Sequence, residues 1–193
     1  MLIGTLYPHP SYDFQRTISA ARFHTVLDVA RGSEYWRALR VDDKSALIQV
    51  TQKSGTLEVN LMHATGDIDT ALLLAKISYL MGIDTNMTPF YDRARADRIL
   101  WSIVEPLYGL NHLRAETLYE ALVTTIIEQQ IALSLAQRGE RWLVQWADNW
   151  VEYKGEHFYT FPRPDQIAAA ISDDLKPLKI TINPTQGQPH FTS

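Results

Sequence analysis

The chain has 193 residues, 46% of them hydrophobic, with 18 basic and 22 acidic side chains and a formal net charge of −4. That length and apolar content can bury a real core in one large domain or two small ones. Having no cysteine, the polypeptide cannot form disulfides, thiolate metal sites, cysteine nucleophiles or a cysteine-ligated iron-sulfur cluster. No apolar run approaches ~18 residues and no basic-then-apolar leader follows Met1, so neither a membrane span nor a secretory signal is expected, and the cytoplasm is the default. Residues 1 to 115 carry 12 basic and 12 acidic side chains, whereas residues 116 to 193 carry 6 and 10. Affinity for duplex DNA comes largely from lysine and arginine neutralising phosphates, so this balance argues against strong DNA binding by the chain alone.

Residues 1 to 12, rich in proline and aromatic residues, read as an irregular lead-in. Asp13 to Phe23 then reads as a short helix capped by Asp13, with Phe14, Ile18 and Ala21 on its buried face. From Tyr35 to Leu61 the period changes to two. The runs YWRALRV, ALIQVTQ and TLEVNL, separated by Asp42-Asp43-Lys44 and Lys53-Ser54-Gly55, are the pattern of an antiparallel meander, with Ile48 and Val50 marking its buried face. Gly66-Asp67 opens a helix capped by Asp67 or Asp69 and ended by Gly82, with Ile68, Leu72, Ala75 and Tyr79 sharing the face that covers the sheet. Thr88-Pro89 begins another, expected to run through Ile103 and Val104 as far as Pro106.

A loop at Tyr108 to Asn111 is the expected boundary between two domains, residues 1–110 and 111–180. The second holds the stretch Leu118 to Trp150, LYEALVTTIIEQQIALSLAQRGERWLVQWADNW. Leu118, Leu122, Val123, Ile126 and Ile127 follow helical spacing, as do Leu135, Trp142, Leu143, Trp146 and Trp150. One helix over the whole stretch would be long for a globular protein, so a break is expected near Gln129 and Gln130. Gly139 falls on the second apolar stripe, where a missing side chain lets another backbone come close. Gly155 reads as part of a loop, Phe161-Pro162-Arg163-Pro164-Asp165 leads into a short helix from Gln166 to Ile171, and residues 181–193 read as an irregular tail.

Glutamines at a bend between helices can simply cap exposed backbone groups. A second meaning comes from resemblance. Ile126-Ile127-Glu128-Gln129-Gln130-Ile131 resembles the Ile-Ile-x-Gln-Gln-Ile signature at the opening of the helix-hairpin-helix-GPD domain of DNA glycosylases. Phe161-Pro162-Arg163-Pro164-Asp165-Gln166-Ile167-Ala168 is similar to the Phe-Pro-x-Pro stretch of that domain. Tyr12-Asp13-Phe14, the strands from Tyr35 to Leu61 and the helix from Leu72 to Gly82 resemble the amino-terminal domain of the DNA-3-methyladenine glycosylase II branch. The resemblance implies an α+β fold: an N-terminal antiparallel sheet with covering helices, then an all-α partial helix-hairpin-helix-GPD domain.

It also implies base excision repair, with hydrolysis of the N-glycosidic bond of an alkylated base flipped out of duplex DNA. Carried over residue by residue, Gln130 becomes the wedge that fills the gap left by the base and Gln129 its supporting neighbour. In the family a glycine hairpin that binds a phosphate, and a catalytic aspartate after it, come later in sequence than this chain reaches. The chain is therefore expected to be a C-terminally truncated form with no catalytic residue, inactive as given, its hold on damaged duplex weak or lost. Asp173 and Asp174 precede the place of that hairpin and read as a solvated helix end. The alternative is a non-catalytic remnant that binds DNA weakly or associates with another polypeptide through apolar surface exposed at Trp142, Leu143 and Trp146. His9, His24, His63, His112, His157 and His190 show no ligand spacing, and neither a metal nor an organic cofactor is expected.

Overall fold

The computed structural model describes residues 1–21, 26–129 and 132–178. Residues 179–193, which include the tail read as irregular, lie outside the described residues, as do residues 22–25 and the pair 130–131.

Five antiparallel strands form the main sheet, in the order β1-β5-β4-β3-β2. They are β1 (Leu2–Leu6), β2 (Val29–Arg31), β3 (Glu34–Val41), β4 (Lys44–Lys53) and β5 (Thr56–Ala64). The meander of β3, β4 and β5 is the one the alternating pattern predicts, with Ala38 facing Leu47 and Val50 facing Val59 across the ladders. Ser54 and Gly55, both with positive φ, make the tight turn between β4 and β5. β1 corrects the expectation of an irregular lead-in. It pairs with β5 at the sheet edge, and Gly4 lets Leu74 come so close that a Cβ there would stand 2.5 Å from its Cδ1.

One face of the sheet packs on α1 (Phe14–Ala21) and α2 (Thr70–Leu80), joining Phe14 and Ile18 to Tyr35, Leu39, Ile48 and Val50 in one core. Asp13 caps α1, its Oδ1 accepting from the Arg16 amide at 2.9 Å. Asp69 caps α2, accepting from the amides of Ala71 and Leu72. The buried face of α2 is Leu73, Ile77 and Leu80, whereas Leu72 and Tyr79 of the expected face stand exposed. Ala71 to Leu74 are all apolar, so periodicity could not choose between neighbouring faces.

The second face of the sheet is covered too. Trp36, Ala38 and Leu47 pack against Val151 and Phe158 of a hairpin, β6 (Trp150–Tyr153) and β7 (Glu156–Tyr159). Residues 111–178 are therefore not wholly α-helical, and Gly155 sits in a hairpin turn with Lys154, both at positive φ, not in a loop.

The helix expected over residues 88 to 104 is two helices, α3 (Thr88–Arg95) and α4 (Arg98–Val104). Asp97 starts the second by accepting from the amides of Ile99 and Leu100. Gly109 then brings the chain against the start of α1. At φ +86 its absent Cβ would lie 2.7 Å from the Ser11 carbonyl, and its own carbonyl accepts from the Asp13 amide at 2.8 Å.

The remaining helices are α5 (Leu118–Glu128), α6 (Leu133–Trp146), α7 (Pro164–Ala169) and α8 (Ser172–Leu175). The stretch from 118 to 150 breaks beside the glutamine pair as expected. α6 stops at Trp146, however, and Trp150 belongs to β6. Ile127, Ala136, Leu143, Val144, Phe161 and Leu178 close a second core between α5, α6 and the segment after α8. Gly139 faces that contact, although the atoms beside it are side chains, Ile127 Cγ2 and Leu178 Cδ2, not backbone.

Candidate nucleic-acid interface

Thr117 caps α5, its Oγ1 accepting from the Glu120 amide at 3.1 Å. At the other end the Gln129 amide donates to the Thr125 carbonyl, and the Gln129 side chain stands exposed beside exposed Glu128. Gln130 lies outside the described residues. α6 opens at Leu133 with no side-chain cap. Its exposed basic residues, Arg138 and Arg141, lie at least one turn further along.

The face that α5 buries coincides with only part of the apolar stripe in its sequence. Leu118, Leu122 and Ile126 are 77%, 54% and 51% exposed, and Leu133 at the start of α6 is 58% exposed. Tyr119, Val123 and Ile127 turn inward, together with Glu120, which is 4% exposed. The carboxylate goes inside because an arginine waits there. Arg37 of β3, itself fully buried, donates through Nη2 to Glu120 Oε1 at 2.9 Å and Oε2 at 3.1 Å, and through Nη1 to Asp28 at 2.9 Å. Tyr35 donates its hydroxyl to the same Asp28 oxygen. Burial opposes the Arg37 charge, but Asp28 and Glu120 outweigh it and hold its pKa well above the ordinary arginine value. Such a pair ties α5 to the sheet.

Glu140 of α6 adds a third carboxyl to this interior. It is 4% exposed, and its Oε1 has no hydrogen-bond partner among the described residues. Burial, followed by the charges of Glu120, Asp28 and Glu128, pushes its pKa up to about 8. At neutral pH it is a buried neutral acid. Nothing in the sequence distinguished Arg37, Glu120 or Glu140 from solvated charges, apart from Glu120 falling on the helix face that carries Val123 and Ile127.

The other expected features fall into place around this frame. Phe161 sets its ring edge-on to Tyr119 at 5.9 Å, and Gln166 seals the start of α7 by accepting from the Arg163 amide at 3.0 Å. Asp174 accepts from the Ile171 amide, and exposed Asp173 pairs with Lys176, so both mark a solvated helix end. The apolar exposure expected at Trp142, Leu143 and Trp146 is corrected. Leu143 is buried, Leu175 and Leu178 pack into the same core, and the two indoles stack on each other at 5.9 Å. Among the described residues no cluster of histidine, aspartate and glutamate could hold a metal ion, and no helix is long and apolar enough to cross a membrane.

The order of sheet and helices matches the fold of solved DNA glycosylases. A 3-methyladenine DNA-glycosylase from Archaeoglobus fulgidus superposes with a TM-score of 0.77 over 92% of this chain and 62% of its own, at 19% sequence identity. The 8-oxoguanine glycosylase/lyase of Clostridium acetobutylicum, in complex with double-stranded DNA containing cytosine opposite 8-oxoG, superposes at 0.67 over 94% of this chain and 62% of its own, at 13% identity. In sequence the chain is a homologue of the DNA-3-methyladenine glycosylase of Bacillus subtilis, 31% identical over 104 residues, which are 54% of this chain and 34% of that protein. The chain thus spans about a third of the length of the curated relative it matches. No protein-family model matches it.

Proposed function

We propose that this chain is the base-extracting scaffold of a DNA glycosylase of base excision repair, acting in the cytoplasm on duplex DNA that carries an alkylated base. In that reaction water adds its hydroxyl to the sugar and the base departs with the proton, after the nucleotide has been turned out of the stack. Gln130 fills the vacated gap and Gln129 supports it. Residues 1–110 serve as a buttress for residues 111–180, which face the DNA. The observation that carries this reading is the exposed end of α5 at Gln129, in a chain with the glycosylase fold and a DNA-3-methyladenine glycosylase as its homologue.

This polypeptide by itself is expected not to release the base. Glu120 is engaged by Arg37, Glu140 is buried and neutral, Asp174 caps a helix, and Glu128 is solvated, where a carboxylate stabilises a sugar cation poorly. Binding is expected to be weak, and a steep salt dependence would favour retained DNA recognition over an interaction role. Anisotropy with a duplex carrying an abasic-site analogue, against the undamaged duplex, tests the reading. The damaged duplex should bind more tightly, Gln129→Ala and Gln130→Ala should remove that preference, and Glu128→Gln should strengthen both complexes. Equal affinity for both duplexes, or variants indistinguishable from the parent, would sink it. Turnover in a base-release assay on alkylated duplex would overturn the expectation of inactivity.

The exposed row Leu118, Leu122, Ile126 and Leu133 favours a second reading, a module that associates with another polypeptide. Sedimentation of a strictly monomeric chain across a wide concentration range, with no change in Leu122→Glu, would count against it.

A further inference from the structure

A cavity of about 240 Å³ opens between the sheet and the helical region, at the other end of α5 from the glutamine turn. Residues from β3, α2, the start of α5 and the segment leading into α7 line it, and Gln129 is not among the described residues that do. Its volume is below the roughly 300–1,000 Å³ typical of sites for drug-sized ligands, so it suits a single ring and one acid group.

The walls are chiefly apolar, formed by Tyr119, Phe161, Pro162 and Pro164, with Arg40 set among them. Arg40 is half-buried and donates through Nη2 to Thr160 Oγ1 at 3.1 Å. No carboxylate among the described residues pairs with its guanidinium. Glu116 accepts from the Arg40 backbone amide, but the same oxygen takes the ammonium of Lys76 at 3.1 Å, so its charge is already engaged. Arg163, also on the cavity wall, pairs with Asp165. Burial, and then the Arg163 charge, pull the Arg40 pKa below the ordinary arginine value, against the opposing charges of Glu116 and Asp165. Tyr119 is a second unspent donor, since its buried hydroxyl has no partner among the described residues. Polar groups withdrawn from water are nearly always hydrogen-bonded, so the Tyr119 hydroxyl is an exception, while the spare donors of half-buried Arg40 still reach solvent.

We propose that this cavity binds a small organic monoanion, a carboxylate on a flat apolar body, held by the Arg40 guanidinium and the Tyr119 hydroxyl with its ring against Phe161, Pro162 and Pro164. A planar guanidinium matches a carboxylate with two parallel hydrogen bonds, which suits the acid group. The apolar walls suit the ring. Of the acids on the wall, Glu116 and Glu120 are engaged by Lys76 and Arg37, which leaves Asp42 to disfavour a dianion and so to favour a carboxylate over a phosphate. The inference does not rest on DNA binding, because among the described residues the two sites share none.

Titration of the full chain with benzoate, benzamide and inorganic phosphate, followed by calorimetry and by amide shifts at Thr160 and Phe161, tests it. Benzoate should saturate at millimolar concentrations and move those amides, while benzamide and phosphate bind at least tenfold more weakly. Arg40→Gln should lower benzoate affinity at least tenfold and leave benzamide unchanged. Tyr119→Phe keeps the apolar wall and removes only a hydroxyl without a partner; it should fold normally and weaken benzoate alone by a few-fold. No saturation with benzoate overturns the proposal. So does benzamide binding equally well, phosphate binding more tightly, or Tyr119→Phe binding benzoate as the parent does.

Discussion

In β4, the successive residues Leu47 and Ile48 are both fully buried, whereas in α5 three of the aliphatic residues stand in solvent and a glutamate is buried. Strand β4 has a cover on each side: α1 and α2 on one, the β6–β7 hairpin on the other. Among the described residues helix α5 has a cover on one side only, and that side holds the Arg37 guanidinium. Burial therefore follows what lies opposite a residue. Hydrophobicity decides the outcome where the partner is apolar, and charge pairing decides it where the partner is an ion.

Breaking the ion pair should give the largest effect. Arg37→Ala leaves Asp28 and Glu120 buried without their cation, and urea denaturation should show a loss of about 3–5 kcal/mol. A loss below that of an ordinary surface change would mean that α5 is not held by this pair.

Glu140 sharpens the same contrast through pH. Its carboxyl is protonated in both folded and unfolded states below its ordinary value of 4.5, so its contribution to stability is complete there and is lost as pH rises toward the folded value of about 8. The loss is on the order of 4 kcal/mol across that window. Glu140→Gln should flatten this part of the stability–pH curve and be the more stable protein at pH 9. Parallel curves for parent and variant would place the carboxyl in water.

The doubly covered strand should be sensitive where a one-sided sheet would not be. Leu47→Ala empties the contact with Val151 and Phe158 and should cost about 2–5 kcal/mol. At the other extreme, Leu122→Ser on α5 should shift stability by no more than about 0.5 kcal/mol in the monomer, measured by the same denaturation. A large loss there would mean that the exposed row is already covered in solution.

Much of the framework was legible in the sequence, for reasons that can be traced to particular residues. The runs from Tyr35 to Leu61 alternate with period two and are punctuated by turn residues, so the meander could be read. The break beside Gln129 followed from helix length, and Asp13 and Asp69 announced their helices. β1 could not be read, because Gly4 and the following prolines hide a strand that exists only as the partner of β5. The β6–β7 hairpin leaves a usable signal, Lys154-Gly155 between two short runs rich in aromatic residues, although a run so short also reads as a loop. Asp97 likewise sat in view as a cap within what read as one helix.

The interior charges were beyond such reading. Arg37 and Glu120 are separated by 83 positions, and each looks like an ordinary surface charge in its own window. Local periodicity sets the type and length of each element, because it depends on neighbours along the chain. Which face of α5 turned inward, which acid lost its proton and where a guanidinium was left with unspent donors depended on residues brought together from distant segments. The energies that decide those outcomes, desolvation and ion pairing, exist only once the segments have met.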